Sequence, residues 1–183
     1  MKKSLAAIGI AVAVSLAALT GCSTTGGSAA PAPTPTASAT NPYGGFPVDP
    51  PAATDVVLTV TGTSTVNFTY AELQDMATEQ VAIHEPFIGK DQSFSGIPLA
   101  ELFTRAGIAP TDKVDTVALN DYHFADTAAK FEDAKGVLAV LRAGSPIPMD
   151  QGGPIRIIFP TDSSYYTYLD AWNWSLRSIV KAG

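Results

Sequence analysis

Seven prolines fall between Ser23 and Thr54, at Pro31, Pro33, Pro35, Pro42, Pro47, Pro50 and Pro51, in a stretch otherwise made mostly of Ser, Thr, Gly and Ala. A segment with so few large apolar side chains cannot bury enough surface to offset its ordering entropy. Residues 22–54 therefore read as a disordered tether, and the core has to come from residues 55–183. About 130 residues are enough for one domain around one core. Tyr43 and Phe46, near the end of the tether, read as packing on the domain edge or as exposed, with a docking motif as the alternative.

Ahead of the tether, Lys2 and Lys3 precede an apolar run from Leu5 to Leu19, the length of a secretory h-region and short for a bilayer span. The run ends in Leu19-Thr20-Gly21-Cys22, which resembles the bacterial lipobox, so residues 1–21 read as a lipoprotein signal peptide and Cys22 as the lipidated mature N-terminus. Acylation at Cys22 places the domain in the cell envelope, lipid-anchored on the extracytoplasmic side of the membrane. Cys22 is the chain's one cysteine, so the domain has no disulfide, thiolate nucleophile or cysteine metal ligand. Loss of Lys2 and Lys3 with the leader leaves nine basic against 17 acidic residues, a surface that repels nucleic acid.

Within the domain, Val56–Gly62 and Val66–Thr69 read as strands. Thr69 three residues before Glu72 is a capping-box pattern opening a helix through Met76. Glu79–Glu85 is β-like, and Gly96-Ile97-Pro98 leads into a helix over Leu99–Ala106 that stops at Gly107. Val114–Leu119 and Tyr122–Ala125 read as strands about an Asn120-Asp121 turn, and Ala128–Ala134 as a helix capped by Thr127. Val137–Leu141, Ile155–Phe159 and Ser175–Val180 complete the strands. The expected class is α+β, sheet-rich, with three short helices.

The order of several motifs carries a resemblance. Val60-Thr61-Gly62 is followed by Tyr70-Ala71-Glu72-Leu73, then by Ser95-Gly96-Ile97-Pro98-Leu99-Ala100-Glu101-Leu102-Phe103 and Ala106-Gly107-Ile108. Asn120-Asp121-Tyr122, Gly144-Ser145-Pro146-Ile147-Pro148, Asp150-Gln151-Gly152-Gly153-Pro154-Ile155-Arg156 and a last strand around Trp174 come after. This set resembles the oxidoreductase molybdopterin-binding domain of the sulfite oxidase type over nearly all of residues 55–183. The resemblance implies a mixed α+β fold whose loops hold a pterin dithiolene, with molybdenum on a cysteine thiolate.

The sequence departs from that pattern where the metal would sit. The cysteine would fall between Thr78 and Gly96, where the chain offers His84, a poor substitute for a soft thiolate. Asn173 stands for a basic residue of the family and Gln151 for a histidine, while Arg156 remains and Arg177 is a second candidate for an anionic pterin phosphate. Lys2-Lys3 without an arginine pair predicts export of an unfolded chain, which carries no bound cofactor across. No metal site is expected, and molybdopterin enters only through the resemblance.

Arg156 follows two glycines, Gly152 and Gly153, which let a backbone approach a ligand; alternatively they form a turn and Arg156 pairs with Asp150 or Asp121. Asp121 reads either as an acceptor for a ligand ring, beside Tyr122, or as an Asx cap. His84 beside Glu85 reads as an acid/base pair, as half of a metal site with His123, or as a hydrogen-bonded loop side chain, but the two histidines lack metal-ligand spacing; Ser163 and Ser164 lack a nucleophile elbow. Tyr165, Tyr166, Tyr168, Trp172 and Trp174 fall within ten residues and suit a flat-ring cleft. Alternation places Tyr166, Tyr168 and Trp174 in the core and Tyr165 and Trp172 on the rim. The ligand-binding set is thus Asp121, Tyr122, Gly152, Gly153, Arg156, Tyr165, Trp172 and Arg177.

These readings favour an envelope-anchored binding module for a pterin-like or other small anionic ligand. The alternatives are a molybdopterin-dependent oxidoreductase or its electron-transfer partner, and a lipoprotein that binds another envelope protein.

Overall fold

The computed structural model describes residues 50–183. The leader, Cys22, Tyr43 and Phe46 lie outside the described residues. In chain order the strands and helices are β1 (Val56–Thr61), β2 (Thr65–Thr69), α1 (Tyr70–Met76), β3 (Glu79–Glu85), β4 (Lys90–Pro98), α2 (Leu99–Ala106) and β5 (Lys113–Ala118). They continue as β6 (His123–Thr127), α3 (Ala128–Asp133), β7 (Val137–Arg142), β8 (Ser145–Pro146), β9 (Arg156–Ile158) and β10 (Leu176–Lys181), with 3-10 turns at Met149–Gln151 and Leu169–Ala171.

Two five-stranded sheets form. The first runs β2-β1-β10-β5-β6, with β1 parallel to β10 and the other pairs antiparallel. The second runs β3-β4-β7-β8, with β9 also on β7. With α1, α2 and α3 this is the sheet-rich α+β class that the sequence implies.

Local chemistry sets the helices. At α1 the Glu72 N–H donates to Thr69 Oγ1 at 3.3 Å and the Thr69 N–H donates to Glu72 Oε2 at 2.8 Å, the reciprocal capping box. In α2, Leu99, Leu102, Phe103 and Ala106 form one buried stripe, and Gly107 closes the helix at φ 69°. Thr127 makes no side-chain cap at α3; instead its own N–H donates to Asp126 Oδ1. Thr69→Ala is therefore expected to cost about 1 kcal/mol in urea unfolding, whereas Thr127→Ala, with no cap bond to lose, costs much less.

The structure differs from the sequence reading in three further places. Where the sequence reading has only a lead into α2 at Gly96-Ile97-Pro98, the structure has the strand β4 from Lys90, pairing with β3 from Glu85–Lys90 to Glu79–Gly96. Its first half is exposed and polar, so no apolar run marks it. Residues 50–54, assigned to the tether by composition, pack on the domain: Pro51 is buried and the Ala71 N–H donates to the Ala53 carbonyl.

In the aromatic segment Tyr165, Trp172 and Tyr168 are placed opposite to the expectation, while Tyr166 packs partly buried on the core and Trp174 is half-buried. Tyr165 and Trp172 are buried, at 8% and 3% exposure, and Tyr168 is 49% exposed. Residues 160–174 form successive turns, with the N–H groups of Ser163, Tyr166, Tyr168, Ala171 and Trp172 each bonded three residues back, so the two-residue period of a strand does not apply. Tyr165 sits against Phe124, Phe131 and Phe159 edge to face, and its hydroxyl donates to Asp126 at 2.6 Å. It is a core residue, not a ligand-facing one. That bond and the Lys130 ammonium hold the Asp126 carboxyl below its ordinary value against the opposing pull of burial.

Candidate functional site

β3 alternates Val81, Ile83 and Glu85 inward, which carries a carboxylate to the interior at the strand's end. Glu85 is fully buried, and so is Arg156, which opens β9. Arg156 Nη2 donates to Glu85 Oε1 at 2.8 Å, and Nη1 donates to the Gln151 carbonyl at 3.2 Å. The second carboxylate oxygen of Glu85 accepts the N–H groups of Phe87 and Ile88 at 3.1 and 2.9 Å, which shapes the β3–β4 turn. The guanidinium lies 4.2 Å from the Trp174 ring centre, a cation–π contact. Burial pulls the Arg156 guanidinium down to about 10, Glu85 opposes that fall and nearby Arg142 adds to it, so Arg156 is still a cation at neutral pH.

Above the pair lies a cleft of about 280 Å³ lined by Phe87, Tyr122, Leu169, Asp170, Trp172 and Trp174. Phe87, Tyr122 and Leu169 are exposed large apolar side chains, flanked in sequence by exposed Ile88 and Tyr168. The Tyr122 hydroxyl donates to the Asp170 carbonyl at 2.9 Å, tying the β5–β6 turn to the Leu169–Ala171 turn. Burial, with the charge of Asp170, raises the Tyr122 hydroxyl above its ordinary value. A larger open groove of about 560 Å³ over the β3–β4 hairpin takes in His84 and Asp91 but none of the aromatic cleft.

The sequence-derived residues divide accordingly. Tyr122 and Trp172 line the cleft. Asp121, at φ 62°, accepts from Arg177 Nη2 at 2.6 Å in an exposed pair beside Tyr122. Arg156 is not open to solvent, and its partner is Glu85 rather than Asp150 or Asp121. Gly152, at φ +85°, and Gly153 approach protein: a Cβ on Gly152 would lie 2.8 Å from the Trp174 ring, and one on Gly153 would lie 1.8 Å from the Ile147 carbonyl oxygen. Their smallness serves packing.

His84 points outward to Asp91 at 2.8 Å and His123 to Asp115 at 2.8 Å, so the two imidazoles do not meet. Asn173 is buried and donates to the Thr116 carbonyl, and Gln151 accepts from Arg142. The sequence-derived set lacks Glu85 at the buried pair and Phe87, Leu169, Asp170 and Trp174 at the cleft. The available signal was the alternation of β3, which assigns a carboxylate to a core-facing position where it needs a cation.

Two five-stranded sheets with three short helices make the fold of a molybdopterin oxidoreductase-like domain. The chain belongs to the oxidoreductase molybdopterin binding domain family, whose profile matches residues 44–168. Among solved structures it is similar to the sulfane dehydrogenase SoxCD from Paracoccus pantotrophus, at 15% identity and a TM-score of 0.56, over 71% of this chain and 39% of that one. That likeness concerns the fold, and the chain spans well under half of that protein's length. No curated protein matches the chain.

The family binds molybdopterin, but the donors here do not fit a molybdenum centre. Cys22 is the chain's one cysteine and lies outside the domain, so no thiolate is offered between Thr78 and Gly96. His84, the imidazole in that stretch, is on the outer face of β3, and the inward neighbour Glu85 is bound to Arg156. Among the described residues no three His, Cys, Asp or Glu side chains converge to hold a metal.

Proposed function

We propose that the protein is an envelope lipoprotein, anchored through Cys22, whose molybdopterin-type domain acts as a binding module for a pterin-like ring compound and runs no molybdenum redox chemistry. The observation that carries this reading is the aromatic cleft over the buried Arg156, whose guanidinium pairs with Glu85 and lies 4.2 Å from the Trp174 ring centre. Ring faces there suit stacking of a flat heterocycle.

Among the described residues, Arg177 is a cation that the ligand's anionic group can reach cheaply. Arg156 is desolvated and committed to Glu85, whereas Arg177 and Asp121 are solvent-exposed. An exposed pair is worth at most about 1 kcal/mol, so Arg177 exchanges partners at little cost. Asp121 is the chain neighbour of Tyr122, which lines the cleft, and this adjacency supports a place for the pair at its rim.

Calorimetric titration of the full chain with pterin-6-carboxylate tests the reading. Micromolar binding is expected, weakened roughly fivefold to tenfold by Arg177→Ala because a charge-assisted contact is lost, while unsubstituted pterin responds less to that change. No heat up to millimolar pterin, or molybdenum near one atom per chain in protein from its own envelope, overturns it.

A further inference from the structure

We propose that Asp170 is the specificity-determining residue of the aromatic cleft, its carboxylate selecting rings that carry a 2-amino-4-oxopyrimidine edge, the edge that pterins and guanine share. This inference rests on the ring-binding reading and narrows it to one chemical class.

Tyr122 sets the direction in which a ring lies. Its hydroxyl donates to the Asp170 carbonyl at 2.9 Å, so the tip of the side chain is held at Asp170. At the backbone end of the same residue, its chain neighbour Asp121 pairs with the exposed Arg177 at 2.6 Å. A flat ring stacked along Tyr122 therefore has a carboxylate at one end and an exchangeable cation at the other. Charge complementarity sends an anionic substituent toward Arg177, which turns the opposite edge of the ring to Asp170.

The Asp170 carboxylate is free to read that edge. Asp170 is the one charged residue lining the cleft and is solvent-exposed. Its side chain takes part in no hydrogen bond or ion pair among the described residues; only its backbone carbonyl is engaged, by Tyr122. Its charge, after burial, is the next cause that raises the Tyr122 hydroxyl above its ordinary value, as a carboxylate close to the wall of the cleft does.

The hydrogen-bond pattern then decides which rings fit. An ionised carboxylate only accepts, and its two oxygens lie side by side. The 2-amino group and the N3–H of a 2-amino-4-oxo ring are two parallel donors, which the two oxygens take up together. A 2,4-dioxo ring places its N3–H between two carbonyls, so one carboxylate oxygen is left facing an acceptor. Phe87, Trp172 and Trp174 do not discriminate here, because an aromatic face stacks either ring. An asparagine amide presents one acceptor and one donor, the complement of the dioxo edge.

Calorimetric titrations of the full chain with pterin-6-carboxylate and lumazine-6-carboxylate, which carry an amino and an oxo group at position 2, test the assignment. At mildly acidic pH, where both rings are uncharged, the amino compound is expected to bind about tenfold more tightly, the effect of one charge-assisted hydrogen bond at an exposed site. Asp170→Asn is expected to abolish or reverse that preference with Tm unchanged, since the side chain it alters holds nothing in the fold. Guanosine and inosine 5′-monophosphates differ by the same amino group and tell the two sources of the edge apart. Tighter binding of the guanosine compound with no heat from pterin-6-carboxylate keeps Asp170 in this role and overturns the pteridine as its ligand. Equal affinity for the two pteridines, or a preference that survives Asp170→Asn, overturns the assignment and leaves the ring-binding reading standing. No heat from any of the four compounds overturns the ring-binding reading, and the assignment falls with it.

Discussion

Glu85→Ala is expected to destabilise the domain by about 3–5 kcal/mol, because it strands the buried Arg156 cation without a counterion. In a domain of this size that corresponds to a fall in Tm on the order of 10–20 °C. Arg156 has nowhere else to turn: it is 3% exposed, its Nη1 donates to the Gln151 carbonyl, and its Nε has no partner. The same substitution releases the Phe87 and Ile88 N–H groups, so the β3–β4 turn loosens and the cleft loses the wall that Phe87 supplies. Glu85→Leu/Arg156→Met, by contrast, is expected to recover most of the loss, since replacing both members of a buried pair by apolar groups is often neutral. A double-mutant cycle in urea measures the coupling. Glu85→Ala within 1 kcal/mol of the wild type, or a double variant as unstable as the sum of the singles, refutes the pairing as the organising contact of the site.

How legible this arrangement is depends on how local its causes are. The α1 cap is written in Thr69 and Glu72, three residues apart, and the α2 stripe in residues three and four apart, so both are read from sequence alone. The Glu85–Arg156 pair joins residues 71 positions apart on β3 and β9, and no local pattern names that partner. A period of two misplaces Tyr165 and Tyr168 because residues 160–174 are turns; Trp172 is buried yet still lines the cleft, and only the turn bonds reveal which ring faces in. β4 is not legible as a strand because its outer half is polar and largely exposed, carrying Lys90, Asp91 and Gln92. The missing thiolate, conversely, was plain from the start: one cysteine, at position 22, decides it.

Gly153→Ala is expected to cost about 3 kcal/mol, at the upper end of what overpacking typically costs. The new methyl would sit 1.8 Å from the Ile147 carbonyl oxygen and 2.8 Å from that of Pro148, and backbone cannot swing aside as a side chain can. The Gly153 N–H already donates to the Pro148 carbonyl, so relief requires the whole 147–153 loop to shift. That loop presents the Gln151 carbonyl to Arg156, and the Gly152 carbonyl accepts from Ser175 beneath Trp174, so the displacement reaches the cation and the ring over it together. Gly144→Ala is the control. Gly144 has φ +74° with nothing within 4 Å of a Cβ, so its cost is only the backbone penalty, about 1–2 kcal/mol. Urea unfolding of the two variants separates crowding from conformation. Equal costs would show that the Gly152-Gly153 turn has room beside it after all, and would return these glycines to the role of admitting a ligand; the larger cost at Gly153 makes them the seat on which Trp174 and Arg156 are held.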